Sequence, residues 1–115
     1  MERFISGDVV ILPFPFTDLE RSKSRPAIVL GSSVEGSYIL CQITTQFQRG
    51  PHAIALDLED FIERRISESS FVRVDMIFTV IPTRIKRKAG HVHPSYLSKV
   101  IERLFDFLEL QRLQY

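Results

Sequence analysis

The sequence predicts a mainly β domain closed by a C-terminal α-helix, and two patterns carry that prediction. As far as about residue 81 the chain runs in short stretches rich in Val, Ile and Phe, separated by Gly, Pro and Ser turn clusters. From Pro94 onward the period changes: Leu97, Val100, Ile101, Leu104, Phe105 and Leu108 recur at spacings of three and four, the stripe of an amphipathic helix. A small, strongly bent antiparallel sheet or barrel with one helix laid against it satisfies both. At 115 residues the chain fits one domain, residues 1–115.

The elements follow in order. Gly7-Asp8 precedes the strand VVIL, and Pro13 and Pro15 end its pairing because proline donates nothing to a ladder. After a loop over 17–24 comes AIVL, entered through Arg25-Pro26, with Pro26 as its first strand position. GSSVEGS turns the chain into YILCQI. A short strand AIAL comes after Gly50-Pro51, then DLEDFIERR as one or two helical turns. The strand FVRVDMIFTVI is next, and RIKRK reads as a solvated loop. Pro94 suits the first turn of the closing helix, whose aromatic residues are expected in the core.

Composition excludes several classes. Apolar residues at 44% and charged residues at 25% describe a globular chain, not a disordered one. No apolar run approaches the roughly 18 residues of a membrane span, and MERFISGDVV lacks the pattern of a secretory leader, so a cytoplasmic protein is expected. The single cysteine, Cys41, lies in an apolar stretch and reads as a small buried residue. Net charge is only +1, but it is unevenly spread. Arg64, Arg65, Arg73, Arg84, Lys86, Arg87 and Lys88 face only Glu68 and Asp75 between positions 64 and 88, whereas Asp57 to Glu63 holds four acids and no base.

Two arrangements can carry chemistry. If GSSVEGS closes a hairpin centred near Val34, partners sum to about 68 or 69 and Arg25 lies opposite Ile43 or Thr44. Proline restricts the residue before it to extended geometry, so Pro26 aims Arg25 out of the strand. In FVRVDMIF, Arg73 and Asp75 point one way and Val72, Val74 and Met76 the other. By itself the Arg73/Asp75 pair is worth no more than a surface salt bridge of about 0–1 kcal/mol.

The stretches GDVVILPFPFTDLERSKSRPAIVL, ITTQ at 43–46 and SFVRVDMIFTV at 70–80, followed by Gly90 and a helix, resemble the PemK/MazF family of toxin ribonucleases. The resemblance implies an SH3-like barrel of the CcdB/PemK type, a homodimer, and cofactor-free, metal-independent cleavage of single-stranded mRNA. It also implies an antitoxin partner that covers the RNA groove, with operator DNA as a target of the complex. Carried over by motif, the R-P arginine is Arg25 and the I-T threonine is Thr44. Cleavage through the ribose 2′-OH needs a base, an acid and positive charge at the phosphate. Arg25 suits the phosphate because its planar fork stays charged. Thr44 adds a hydrogen bond, and Asp75 with Arg73 are candidates for the proton shuttle, a role that other family members give to the R-P arginine itself. Candidate RNA contacts are Phe16, Thr17, Asp18, Lys23, Ser24, Thr45 and Gln46.

The chain also departs from the family pattern. Phe78 stands where many relatives have an arginine, and Glu20-Arg21 where they often have a small residue and glycine, so no relative's base preference transfers. Phe14, Phe16 and Phe47 are each able to stack on unpaired bases or to fill a core, and Phe14 reads as core. His91 and His93 share a face if extended and invite a metal, but no third ligand has sensible spacing; they read as a solvent-facing pair. Two other function classes remain in view: a gyrase-inhibiting toxin of the same fold, acting through the end of the C-terminal helix, and a catalytically silent RNA-binding module.

Overall fold

The runs VVIL and AIVL are continuous, not alternating, because the sheet they join is buried on both faces. The computed structural model describes residues 3–14, 23–63 and 66–114. Among them lie strands β1 (Asp8–Pro13), β2 (Ser24–Ser32), β3 (Tyr38–Thr44), β4 (Ala53–Leu56), β5 (Phe61–Glu63), β6 (Ser70–Val80) and β7 (Arg87–Val92), then helix α1 (Pro94–Arg112). They form one sheet in the order β4-β6-β3-β2-β1-β7-β5 with antiparallel pairings throughout. The sheet curls into a half-barrel, and the expected mainly β fold with a C-terminal helix is the observed one.

Alternate residues of the same strands feed two cores. Val9, Ile28, Cys41, Ile43, Val72 and Val74 pack beneath α1 with Tyr96 and Val100. Val10, Leu12, Phe14, Ala27, Val29, Leu40 and Phe78 form the second cluster on the opposite face. Phe14 is core, as expected, and its ring meets that of Phe78 edge-on at 5.5 Å between centroids. Phe78, read from the sequence as a departure from the family pattern, is a packing residue.

The hairpin register follows the sequence. Ala27 pairs with Gln42, Ile28 with Cys41 and Val29 with Leu40, each pair summing to 69, before a one-residue irregularity near Leu30. Pro26 departs from expectation: it is the third residue of β2, paired with Ile11 of β1, and the β3 ladder begins only after it.

Other expectations need correction. Over its described part, 57–63, DLEDFIERR forms a single 3₁₀ turn, Leu58–Asp60, fastened by the Asp57 amide donating to Asp60 Oδ2 at 2.8 Å, and then becomes β5. RIKRK is not a solvated loop: Ile85 is buried, and Arg87 and Lys88 open β7. A buried carboxylate explains the base-rich strand. Asp8 accepts from the Ile5 amide at 2.8 Å and from His91 Nδ1 at 2.8 Å, and Lys88 Nζ lies 3.4 Å from its Oδ1 and 2.6 Å from Glu63 Oε1. Charges taken from water must be paired, and these residues tie β1, β5 and β7 together. His91 is thus engaged with Asp8 and does not form a solvent-facing pair with His93, which is the exposed N-cap of α1.

Helix α1 begins at Pro94, as its sequence predicts. It presents Tyr96 and Val100 to the core, with Leu97, Leu104 and Phe107 packed alongside. Phe105, expected in the core, is 65% exposed because the helix meets the sheet on one face only. The helix also blunts the sheet edge. The His52 carbonyl accepts from the Val74 amide, so the carbonyls of Ala53 and Ala55, which alternate with it in direction, point away from β6. Arg103 donates to the first and the Tyr96 hydroxyl to the second, leaving edge strand β4 with few open acceptors.

Candidate functional site

At the end of the sheet where β2 begins and β3 ends, the register places unlike residues side by side. Extending the β2–β3 pairing by two residues from Ala27–Gln42 sets Arg25 across from Thr44. Both line a cavity of about 260 Å³ with Pro26, Ile43, Thr45 and Gln46. Four of the residues expected in the site, Arg25, Thr44, Thr45 and Gln46, therefore share one pocket. Arg25 is exposed although its partner in β1, Leu12, is fully buried, so the strand leaves the core at this residue. The Thr44 hydroxyl accepts from the Gln46 amide at 3.1 Å. That bond fixes the oxygen and leaves the hydroxyl proton available to an incoming acceptor.

One row further along the same face stand Gln42 of β3 and Arg73 of β6, directly paired. With strands roughly 4.8 Å apart, Arg73 is two strands and one row from Arg25. It is gripped by Asp75: Nε donates to Oδ1 at 3.0 Å and Nη2 to Oδ2 at 2.7 Å, both side chains about one-quarter exposed. The hydrogen bond to Asp75 raises the Arg73 pKa above its already high value, so the guanidinium keeps its charge. The expected facing of β6 holds for Arg73 and Asp75, and for Val72 and Val74, which are buried. Met76 is only half-buried and belongs to neither core cluster, because β6 bulges here.

Of the remaining expected contacts, Lys23 and Ser24 are not among the described residues that line the pocket. Lys23 is exposed and Ser24 half-buried, next along the chain from Arg25. Phe16, Thr17 and Asp18, with the Glu20-Arg21 departure and the basic residues Arg64 and Arg65, lie outside the described residues. Among the described residues no group of three or more His, Cys, Asp or Glu side chains is placed to hold a metal ion. Cys41 is buried, and burial, followed by the charge of Asp75, pushes its thiol up to about 12.

Sequence reasoning missed Gln42, Phe71 and Arg49. Gln42 is a nearly buried amide joining the Arg25 and Arg73 rows, and its signal was a lone polar residue within YILCQI. Phe71 pairs with Thr44, and the exposed Phe47 meets it edge-on with Arg49 at its side.

A curled antiparallel sheet with one C-terminal helix is a fold shared with solved toxin structures. An endoribonuclease in complex with its cognate antitoxin from a mycobacterial species superposes with a TM-score of 0.73 at 17% identity, over 94% of this chain and 97% of that one. MazF in a MazE-MazF complex from Deinococcus radiodurans gives 0.71 at 22% identity, over 91% and 95%. The Mycobacterium tuberculosis toxin MazF-mt6 gives 0.69 at 17% identity, over 89% and 96%. At these identities the likeness is one of fold. A model of the PemK-like, MazF-like toxins of type II toxin-antitoxin systems matches residues 5–108, and the chain belongs to that family. No curated protein matches. No helix among the described residues is long and apolar enough to cross a membrane.

Proposed function

We propose that this protein is the toxin of a toxin-antitoxin pair and acts as an endoribonuclease on single-stranded mRNA in the cytoplasm. The observation that carries the reading is the convergence of Arg25 and Thr44 on one cavity, with the Arg73–Asp75 pair one row along the same face. A strand laid along this face meets the fork of Arg25 at a phosphate, and Thr44 donates to the same oxygens. The ribose 2′-OH attacks phosphorus and gives its proton to a base, the bond to the 5′ oxygen breaks, and that oxygen takes up a proton. The products are a 2′,3′-cyclic phosphate and a 5′-hydroxyl, and neither a metal nor a cofactor enters the balance. Asp75 is the chain's best candidate for the base. Arg73, whose pKa is raised, is a poor acid and is better suited to holding charge at the phosphate. Thr45, Gln46, Lys23 and Ser24 border the path of the strand, and Phe16, Thr17 and Asp18 are further candidate contacts. The active form is a homodimer, and an antitoxin with an acidic segment that orders on binding covers the groove.

The test is incubation of antitoxin-free protein with a long single-stranded RNA in EDTA, mapping cut sites and end groups beside Arg25→Ala. Cyclic phosphate ends from the wild type, lost in the variant, are expected. Undiminished cleavage by Arg25→Ala overturns the site, and loss of wild-type activity in chelator overturns the metal-free chemistry. A wild type that binds RNA without cutting points to the silent module, and one that does neither points to gyrase.

A further inference from the structure

The loop between β3 and β4 presents an aromatic face that neither core uses. Phe47 is 71% exposed, so most of its ring is open to solvent. Its ring is nonetheless held: Phe71, on β6 and directly paired with Thr44, meets it edge-on at 5.5 Å between centroids and 81° between planes. The Arg49 guanidinium carbon lies 5.7 Å from the Phe47 centroid.

The loop behind the ring is fastened at several points. The Gln46 amide donates to Thr44 Oγ1, Gln48 Nε2 donates to the Gln46 carbonyl at 3.4 Å, and His52 Nε2 lies 2.9 Å from Gln48 Oε1. Gly50 turns the chain back with φ +128, a conformation that side chains rarely adopt. An aromatic platform that is ordered before a ligand arrives loses little freedom on binding it. Gln46 of this loop lines the pocket and its amide donates to Thr44 Oγ1 at the end of β3, so platform and pocket are continuous.

We propose that Phe47, braced by Phe71 and flanked by Arg49, is a stacking subsite for an unpaired base of the RNA strand whose phosphate occupies the Arg25–Thr44 pocket. The assignment rests on the reading under Proposed function. An aromatic ring takes any base face, whereas a cation beside it favours a polyanionic strand over an acid-poor peptide. The subsite sets the position of the strand without touching the reacting atoms, which makes Phe47 a positioning residue.

The experiment compares wild type, Phe47→Ala and Phe47→Tyr on a single-stranded RNA carrying one 2-aminopurine beside the mapped cut site, reading fluorescence quenching, affinity, KM and kcat. Phe47→Ala is expected to weaken binding and raise KM by about tenfold or more, abolish the quenching and leave kcat nearly unchanged, with Phe47→Tyr restoring all three. Thermal melting checks that the exposed substitution leaves the fold intact. If wild type cuts and Phe47→Ala does so with equal KM and quenching, the subsite is overturned while the ribonuclease reading stands, and the exposed ring belongs to a protein partner. If wild type neither binds nor cuts RNA, both fail together.

Discussion

Asp75 holds both arms of Arg73 from two residues away on the same strand, at 3.0 and 2.7 Å. Such a grip comes with an irregular ladder: Arg73 pairs with Gln42, yet the next pair is Ile77 with Cys41, so Val74, Asp75 and Met76 oppose a single step of β3. Bulges of this kind bend a strand and re-aim its side chains, and here the bend brings the carboxylate back over the guanidinium beside the pocket.

Asp75→Asn keeps the shape and removes the proposed base. Cleavage is expected to fall by about 10²–10⁴-fold, the range for a lost general base, mainly in kcat. Stability should move by less than about 1 kcal/mol, since the pair is partly solvated. Single-turnover cleavage and urea unfolding of the variant check both; a large stability loss with little change in rate would make the pair structural.

Cys41 predicts behaviour at high pH. Burial first, and the nearby Asp75 charge second, carry its pKa from 9.0 to about 12, and burial raises that of Tyr96 from 10.0 in the same direction. Both groups are neutral in the fold but ionise in the unfolded chain, so their contribution is full below about pH 9 and is lost as pH rises from there toward 12. Native protein should leave a thiol reagent unreacted at pH 8 and react once denatured. Melting temperature should fall between pH 9 and 11, less steeply in Cys41→Ala.

Gly90 sits where β7 crosses Phe61. A Cβ added there would meet Phe61 Cδ2 and Cε2 at 2.9 Å and the Glu63 carbonyl oxygen at 3.2 Å, and Phe61 is itself buried. Gly90→Ala is expected to cost roughly 1–3 kcal/mol through overpacking, by loosening the β5–β7 edge. Chemical denaturation measures the loss, and an unchanged midpoint would mean that the Phe61 ring moves aside freely.

Much of this was legible in the sequence by itself. The turn GSSVEGS between two apolar strands determined the β2–β3 register, and with it the meeting of Arg25 and Thr44, because a hairpin is a local structure whose pairing follows from where it turns. Apolar spacing of three and four and Pro94 determined α1 in the same local way. What only the tertiary structure decided depends on residues far apart in the chain. RIKRK reads as a solvated loop until Asp8, some 80 positions earlier, supplies the buried partner for Lys88. Phe105 reads as core until the helix is seen to meet the sheet along one face only. Arg73 comes within two strands of Arg25 through β3, and Asp75 turns back over Arg73 because β6 bulges against β3. Local periodicity sets which segments are strand or helix, whereas desolvation and long-range pairing settle which charges are buried and which rings stay outside.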